Sequence, residues 1–187
     1  MKAGSVLAAG AAFILGACVA AGLYFARKAD STADIVPPSH PSWAEAQWPF
    51  PIDQWGKGKA FRCTAADCGT DVDLFIRAKI GFCNCTTGVA DDDELKRLSD
   101  FDFMGNQPDA MADGRIIAIA WMKGRSRPYL TGGGVHSALS VAFNDHCDAI
   151  VATAIMGHNR PSLLETDVLA FLNSKAVLDW AKITLGL

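Results

Sequence analysis

Apolar and polar residues alternate with a period of two through the middle of the chain, which is the pattern of half-buried β-strands. Residues 61–65 and 71–85 follow this pattern, and residues 115–125 form an apolar, β-branched run. Residues 137–143 and 147–156 have the same character, and the three polar residues between them are typical of a β-hairpin. The pattern therefore predicts a series of strands joined by short connections.

Two segments have a helical pattern instead. Residues 91–100 begin with Asp91, a favourable N-cap, and place Glu94 three residues later in the first turn. Residues 163–187 carry apolar side chains over a broad helical face, with a break near Asn173 and Ser174. We expect one short helix between the strands and a C-terminal helix in one or two segments.

Together these elements predict an α+β domain over residues 60–187, in which an antiparallel sheet packs against the C-terminal helix. A parallel sheet would need a crossover helix of about a dozen residues between consecutive strands, and only residues 91–100 approach that length. Half of the 187 residues are apolar and 20% are charged, which is enough for a proper core. The net charge of −3 and the lack of basic runs argue against nucleic-acid binding.

The N-terminus has a different pattern, with no polar face. Residues 6–26 are 21 uncharged, mainly apolar residues that lie between Lys2 and the pair Arg27 and Lys28. About 20 such residues allow a helix to cross the hydrocarbon core of a membrane. We therefore expect residues 1–28 to form a transmembrane signal anchor.

Two other kinds of signal fit the same segment. A cleaved signal peptide would use the small residues 19–21 as its cleavage site, and a lipoprotein signal would make Cys18 the lipidated N-terminus. The basic residues mildly favour a cytoplasmic C-terminal part, because more of them follow the apolar segment than precede it. The cysteine content favours export, and we expect a domain on the extracytoplasmic, periplasmic side.

Residues 29–59 have the composition of a tether. Their five prolines prevent a continuous helix and favour extended backbone. They also include Trp43, Trp48 and Trp55, which are more apolar than a freely solvated linker requires. We interpret this segment as a Pro/Trp-rich tether whose tryptophans either pack on the domain or bind a protein partner or the bilayer interface.

Five cysteines follow the N-terminal segment: Cys63, Cys68, Cys83, Cys85 and Cys147. Residues two apart on a strand have Cα atoms about 6.5 to 7 Å apart, which is at the limit for a disulfide, so Cys83 and Cys85 need partners elsewhere. If residues 63–85 form one hairpin, the nested bridges Cys63–Cys85 and Cys68–Cys83 fit it best and leave Cys147 as the free thiol. A local Cys63–Cys68 bridge stays open as an alternative.

The same side chains offer two alternatives to structural disulfides. The four clustered cysteines, with help from His146 and Cys147, make a candidate site for zinc or copper. The separation of the two cysteine pairs suits a zinc site, whereas the spacing within each pair differs from the usual C-x2-C. Thiol–redox chemistry is the third hypothesis, although C-x-x-C is absent from the sequence.

No motif in the sequence points to a reaction. The acidic run at residues 91–94 suits a helix N-terminus, and Gly132–Gly134 matches neither the P-loop nor the dinucleotide fingerprint. We therefore expect a membrane-anchored, non-catalytic accessory or binding protein without a cofactor, stabilised by disulfides. A soft-metal-binding protein and a thiol–redox protein are the alternatives.

Overall fold

Eight strands form one sheet at the centre of the computed structural model, which describes residues 41–102, 108–157 and 161–187. The strands are β1 (Ala44–Ala46), β2 (Lys59–Cys63), β3 (Val72–Lys79), β4 (Asp109–Ala110), β5 (Arg115–Ile119), β6 (Met122–Thr131), β7 (His136–Asp145) and β8 (Asp148–Met156). Their order across the sheet is β1-β2-β3-β8-β7-β6-β4, and β5 also pairs with β6. All of these pairings are antiparallel.

Four helices accompany the sheet in the described residues: α1 (Ala65–Cys68), α2 (Asp92–Leu98), α3 (Pro161–Leu172) and α4 (Lys175–Leu185). Asp91 caps α2 by accepting the N–H of Glu94, as the sequence predicts. The C-terminal helical segment is interrupted at Asn173 and Ser174, between α3 and α4, and Ser174 caps α4. The prediction of an α+β fold with an antiparallel sheet and C-terminal helices is confirmed.

The C-terminal helices cover one face of the sheet. Leu74, Ala154 and Leu139 are direct partners across β3, β8 and β7, so their side chains point to the same side. They belong to one buried core together with Val168 of α3 and Val177 of α4. Burial of this apolar face is the main reason why α3 and α4 dock on the sheet.

The opposite face is covered as well, which the sequence pattern does not predict. Ala142 of β7 and Val151 of β8 are direct partners on that face. They pack against Leu95 and Leu98 of α2 and against Cys83. Since β7 and β8 are buried on both faces, their sequences are nearly continuous apolar runs instead of alternating ones.

Two strand predictions are wrong in their boundaries. β3 ends at Lys79 instead of continuing to residue 85, because Gly81 takes a left-handed conformation with φ of 68° and turns the chain. Residues 115–125 are not one strand, since β5 and β6 reverse direction at Ala120 and Trp121. Ala120 adopts φ of 50° there. The turn contains no Gly, Pro, Asn or Asp and lies within an apolar run, so the sequence does not indicate it.

The C-terminal half of the predicted tether lies against the sheet. Its residues 44–46 form β1, in which Ala46 lies opposite Ala60 of β2. The predicted membrane segment, residues 1–28, and the tether up to residue 40 lie outside the described residues. Among the residues that are described, no helix is both long enough and apolar enough to cross a bilayer.

Candidate functional site

Two disulfides form among the five cysteines of the domain, but they are not the nested pair. Cys63 pairs with Cys68, and Cys85 pairs with Cys147. Cys83 is a free, buried thiol. The prediction that Cys83 bonds to Cys68 and leaves Cys147 free is therefore wrong, and the local Cys63–Cys68 alternative is the one that forms.

The register of β2 and β3 is the physical reason for these pairings. Cys63 lies opposite Val72, the first residue of β3, and not opposite Cys85, which follows the end of that strand. The short helix α1 and a left-handed Gly69 reverse the chain just after β2. This reversal brings Cys68 back to Cys63, with 5.9 Å between the two Cα atoms.

The six residues of the candidate metal site are divided between the two ends of β3. Cys63 and Cys68 lie at its first residue, whereas the other four lie beyond its last residue or in the turn between β7 and β8. A strand of eight residues is about 25 Å long, so one ion cannot contact both groups. Within the described ranges, no group of three or more His, Cys, Asp and Glu side chains is arranged to hold a metal ion.

The second disulfide lies in what we call the cysteine junction, the contact between residues 81–89 and the turn that joins β7 to β8. Hydrogen bonds flank the disulfide on both sides. The N–H of Gly81 donates to Asp148 Oδ1 at 2.6 Å, and the N–H of Val89 donates to Asn144 Oδ1 at 3.1 Å. The disulfide therefore joins two segments that are already aligned by hydrogen bonds.

Close approach of the two segments requires a glycine at position 88. A Cβ atom on Gly88 would lie 2.3 Å from Oδ1 of Asn144, and its φ is 61°. Both features exclude a larger residue without rearrangement. Asn144 can therefore bind the backbone of residue 89 directly and also donate from Nδ2 to the carbonyl of His146 at 2.9 Å.

Cys83 is the chemically distinctive residue of the cysteine junction. Its thiol donates to the carbonyl oxygen of His146 at 3.2 Å, and its N–H donates to the carbonyl oxygen of Cys147 at 3.1 Å. Burial raises the pKa of the Cys83 thiol, and the negative charges of Glu94 and Asp148 raise it further. The group is therefore a protonated thiol at neutral pH.

His146 takes part through its backbone instead of its imidazole. The residue occupies the two-residue turn between β7 and β8 with φ of 50°. Its side chain is 86% exposed, and Nδ1 lies 3.1 Å from Oδ1 of Asp145. The sequence adjacency of His146 and Cys147 thus does not produce an imidazole that activates a thiol.

A cluster of four charges, three of them buried and here called the buried charge cluster, forms a second candidate site. Arg77 donates to both carboxylate oxygens of Asp100, at 2.9 and 2.6 Å, and to Asp53 at 2.7 Å. Lys79 donates to the carbonyl oxygen of Leu98 at 2.6 Å and lies 2.9 Å from Asp100 Oδ1. The two positive and two negative side chains balance each other in charge. Because they come from different parts of the chain, the cluster joins β3 to the segment before β2 and to the end of α2.

Burial and ion pairing act in opposite directions in this cluster. Burial lowers the pKa of Lys79, and attraction to Asp100 only partly offsets this effect. Burial alone would raise the pKa of Asp53, but hydrogen bonds from Arg77 and from the N–H of Trp55 outweigh it and lower that pKa. Asp53 is therefore held in its charged form.

A third group of charges joins α2 to β6. The carboxylate of Asp92 accepts the N–H of Gly114 at 3.0 Å, pairs with Arg125 and lies 3.4 Å from Arg127. Burial favours a higher pKa for Asp92, whereas the N–H of Gly114 and the two arginines outweigh it and lower the pKa. This residue of the acidic run therefore has a structural ion-pairing role.

Only the two basic residues of the buried charge cluster can be recognised from the sequence. Arg77 and Lys79 are two residues apart on the strand β3, so they share a face of the sheet in an otherwise apolar segment. Such a pair indicates acidic partners. Nothing in the sequence identifies Asp53 and Asp100 as those partners, because each comes from a different loop.

The three tryptophans of the tether lie on the domain in different environments. Trp48 is 7% exposed and packs edge-on against Phe75, with 6.1 Å between the ring centroids. Trp43 is half-buried and stacks on an aromatic ring of α3 at 5.0 Å. Trp55 is also half-buried and contacts Phe82 at 4.8 Å. Trp48 is thus a core residue, whereas Trp43 and Trp55 keep part of their surface in solvent.

Comparisons with protein-family models, curated proteins and solved structures found no match to this chain.

Proposed function

We propose that this chain is a membrane-anchored, non-catalytic accessory or binding protein whose disulfide-stabilised domain lies on the extracytoplasmic side of the membrane. The observation that carries the proposal is the pair of disulfides, Cys63–Cys68 and Cys85–Cys147. Such bonds persist in oxidising compartments such as the periplasm and are rare in the cytoplasm of mesophiles. The 21-residue apolar segment at the N-terminus supplies the means of export and anchoring.

Two carboxylates of the domain, Asp100 and Asp92, have structural partners. Asp100 is saturated by Arg77 and Lys79, and Asp92 is bound by Arg125 and by a backbone N–H. Each of these carboxylates connects separate elements of the fold. They are engaged in holding the domain together instead of facing a substrate.

We place the contact with a protein partner around Trp55 and Phe82. Arg97 lies over the Phe82 ring, with 4.5 Å from its guanidinium carbon to the ring centroid. Ile52 and Ile80 lie on the same two segments as the two aromatic residues and are 73% and 50% exposed. Aromatic and aliphatic side chains beside an arginine are the composition of many protein interfaces.

A topology reporter tests the proposed location. We expect alkaline phosphatase, fused to the C-terminus of the full chain in a Gram-negative bacterium, to be active and to stay in the membrane fraction after a carbonate wash. The enzyme needs its own disulfides, so it is active only outside the cytoplasm. The matched control begins at Asp30 and should give an inactive fusion.

Two results would count against the proposal. An inactive full-length fusion that is active when β-galactosidase replaces the phosphatase would place the domain in the cytoplasm. An active phosphatase released into the periplasmic fraction would show that the N-terminal segment is cleaved and that the chain is not anchored.

A further inference from the structure

Three cysteines meet in the cysteine junction, although only two of them can share a disulfide at one time. Cys85 is exposed and Cys147 is half-buried, so the bridge between them is open to solvent. Cys83 has a buried thiol and is hydrogen-bonded to the backbone of both turn residues, His146 and Cys147. A free thiol next to an accessible disulfide is the arrangement that thiol–disulfide exchange requires.

The backbone brings Cys83 within bonding range of Cys147. The N–H of Cys83 donates to the carbonyl oxygen of Cys147 at 3.1 Å. With standard bond lengths, two residues joined by one such N–H···O=C bond have Cα atoms roughly 5 to 7 Å apart, which overlaps the usual range for a disulfide, about 4.4 to 6.8 Å. Cys147 therefore has two neighbours that can bond to it, Cys83 and Cys85.

We propose that Cys83, Cys85 and Cys147 form a thiol–disulfide exchange site that captures one accessible disulfide of a small molecule or peptide per chain as a mixed disulfide, which makes it a binding site without turnover. In the first step the Cys83 thiolate attacks the sulfur of Cys147. A Cys83–Cys147 bond forms, the Cys85–Cys147 bond breaks, and Cys85 leaves as an exposed thiolate. The proton of Cys83 goes to solvent, and no electron is gained or lost overall.

The second step uses the exposed Cys85 thiolate. It attacks one sulfur of a substrate disulfide, forms a mixed disulfide with that half and releases the other half as a thiolate. One disulfide is consumed and one is formed, so the step needs no further oxidant or reductant. The Cys63–Cys68 bridge lies at the far end of β3 and takes no part.

The surroundings of Cys83 keep the resting state in the Cys85–Cys147 form. The thiol donates to the carbonyl oxygen of His146. Glu94 of α2 and Asp148 of β8 disfavour its ionisation, and Arg97 of α2 acts weakly in the opposite direction. Because burial and these charges raise the pKa of Cys83, the exchange rate should still be increasing with pH above about 8.5, the ordinary pKa of a cysteine.

Peptide mapping after incubation with oxidised glutathione tests the site. The purified full chain is incubated with this probe at neutral and alkaline pH, quenched with acid and mapped by mass spectrometry without reduction. We expect glutathione on Cys85 together with a Cys83–Cys147 bridge, more of both at alkaline pH, and an intact Cys63–Cys68 bridge as the internal control. In the variant Cys83→Ala, the glutathione on Cys85 should be lost.

A second variant keeps the proposal testable if Cys83→Ala folds poorly. In Cys85→Ser we expect a Cys83–Cys147 bridge, because Cys147 retains its other neighbour. Free Cys83 and Cys147 in that variant would overturn the proposal. So would glutathione on Cys83 itself, or equal labelling of Cys85 in the wild type and in Cys83→Ala, since neither result needs exchange within the chain.

Discussion

Replacing Cys147 by serine is expected to lower the free energy of unfolding by about 4 kcal/mol. The Cys85–Cys147 bridge joins residues 62 positions apart, and in the chain-entropy account a bridge that closes a long loop restricts the unfolded chain most. The variant also leaves Cys83 and Cys85 only two residues apart, which is an unfavourable spacing for a replacement bridge within an extended segment. Chemical denaturation of the purified chain without reductant, followed by tryptophan fluorescence, measures the change.

Cys68→Ser is the matched control for that experiment. Its bridge to Cys63 spans only five positions, so its loss should cost about 2 kcal/mol, roughly half as much. Both variants remove one disulfide and replace one sulfur by oxygen. An equal or larger loss for Cys68→Ser would show that loop length does not determine the contribution of the two bridges.

Replacing Asp100 by asparagine is expected to cost about 3 to 5 kcal/mol, the range for breaking a buried ion pair. Asp100 is 5% exposed, and its partners Arg77 and Lys79 are 4% and 6% exposed. The substitution keeps the shape of the side chain but leaves two buried cations with Asp53 as their remaining carboxylate within the cluster. Urea denaturation at neutral pH gives the change in free energy.

Asp73→Asn provides the comparison for Asp100→Asn. Asp73 also lies on β3 and also pairs with an arginine, Arg62, but the two side chains are 40% and 61% exposed. Exposed pairs of this kind contribute little, because water screens them. We expect almost no change for Asp73→Asn, and equal effects of the two variants would refute a stabilising role of the buried charge cluster.

The strands and helices with a clear period are predictable from the sequence. The cap of α2 at Asp91 and the break at Ser174 depend on local chemistry, and each forms where that chemistry places it. The β7–β8 hairpin also forms, but its turn lies at residues 146 and 147 instead of 144–146. The turn at Ala120 could not be predicted in this way, because alanine is not a residue that signals a left-handed turn. Local patterns therefore determine the element types but not all of their limits.

The full disulfide pairing could not be predicted, because it depends on the register of β2 and β3. Cys63 lies opposite Val72 in that register, so even a strand that continued to residue 85 would not place Cys83 or Cys85 opposite Cys63. The left-handed turn at Gly81 instead directs both cysteines to the β7–β8 turn, which is more than 60 residues later in the chain. Contacts over such distances arise from the tertiary fold, and no short-range pattern encodes them.

The oxidation state of the cysteines in the cells that make this chain shows directly whether its domain is oxidised and extracytoplasmic. Cells are quenched with acid, free thiols are alkylated before any reduction, and the cysteine peptides of residues 60–187 are identified by mass spectrometry. We predict one alkylated cysteine, Cys83, with Cys63–Cys68 and Cys85–Cys147 recovered as disulfides. Alkylation of all five cysteines would contradict the account, because a chain kept fully reduced in its cells does not have a disulfide-stabilised domain in an oxidising compartment.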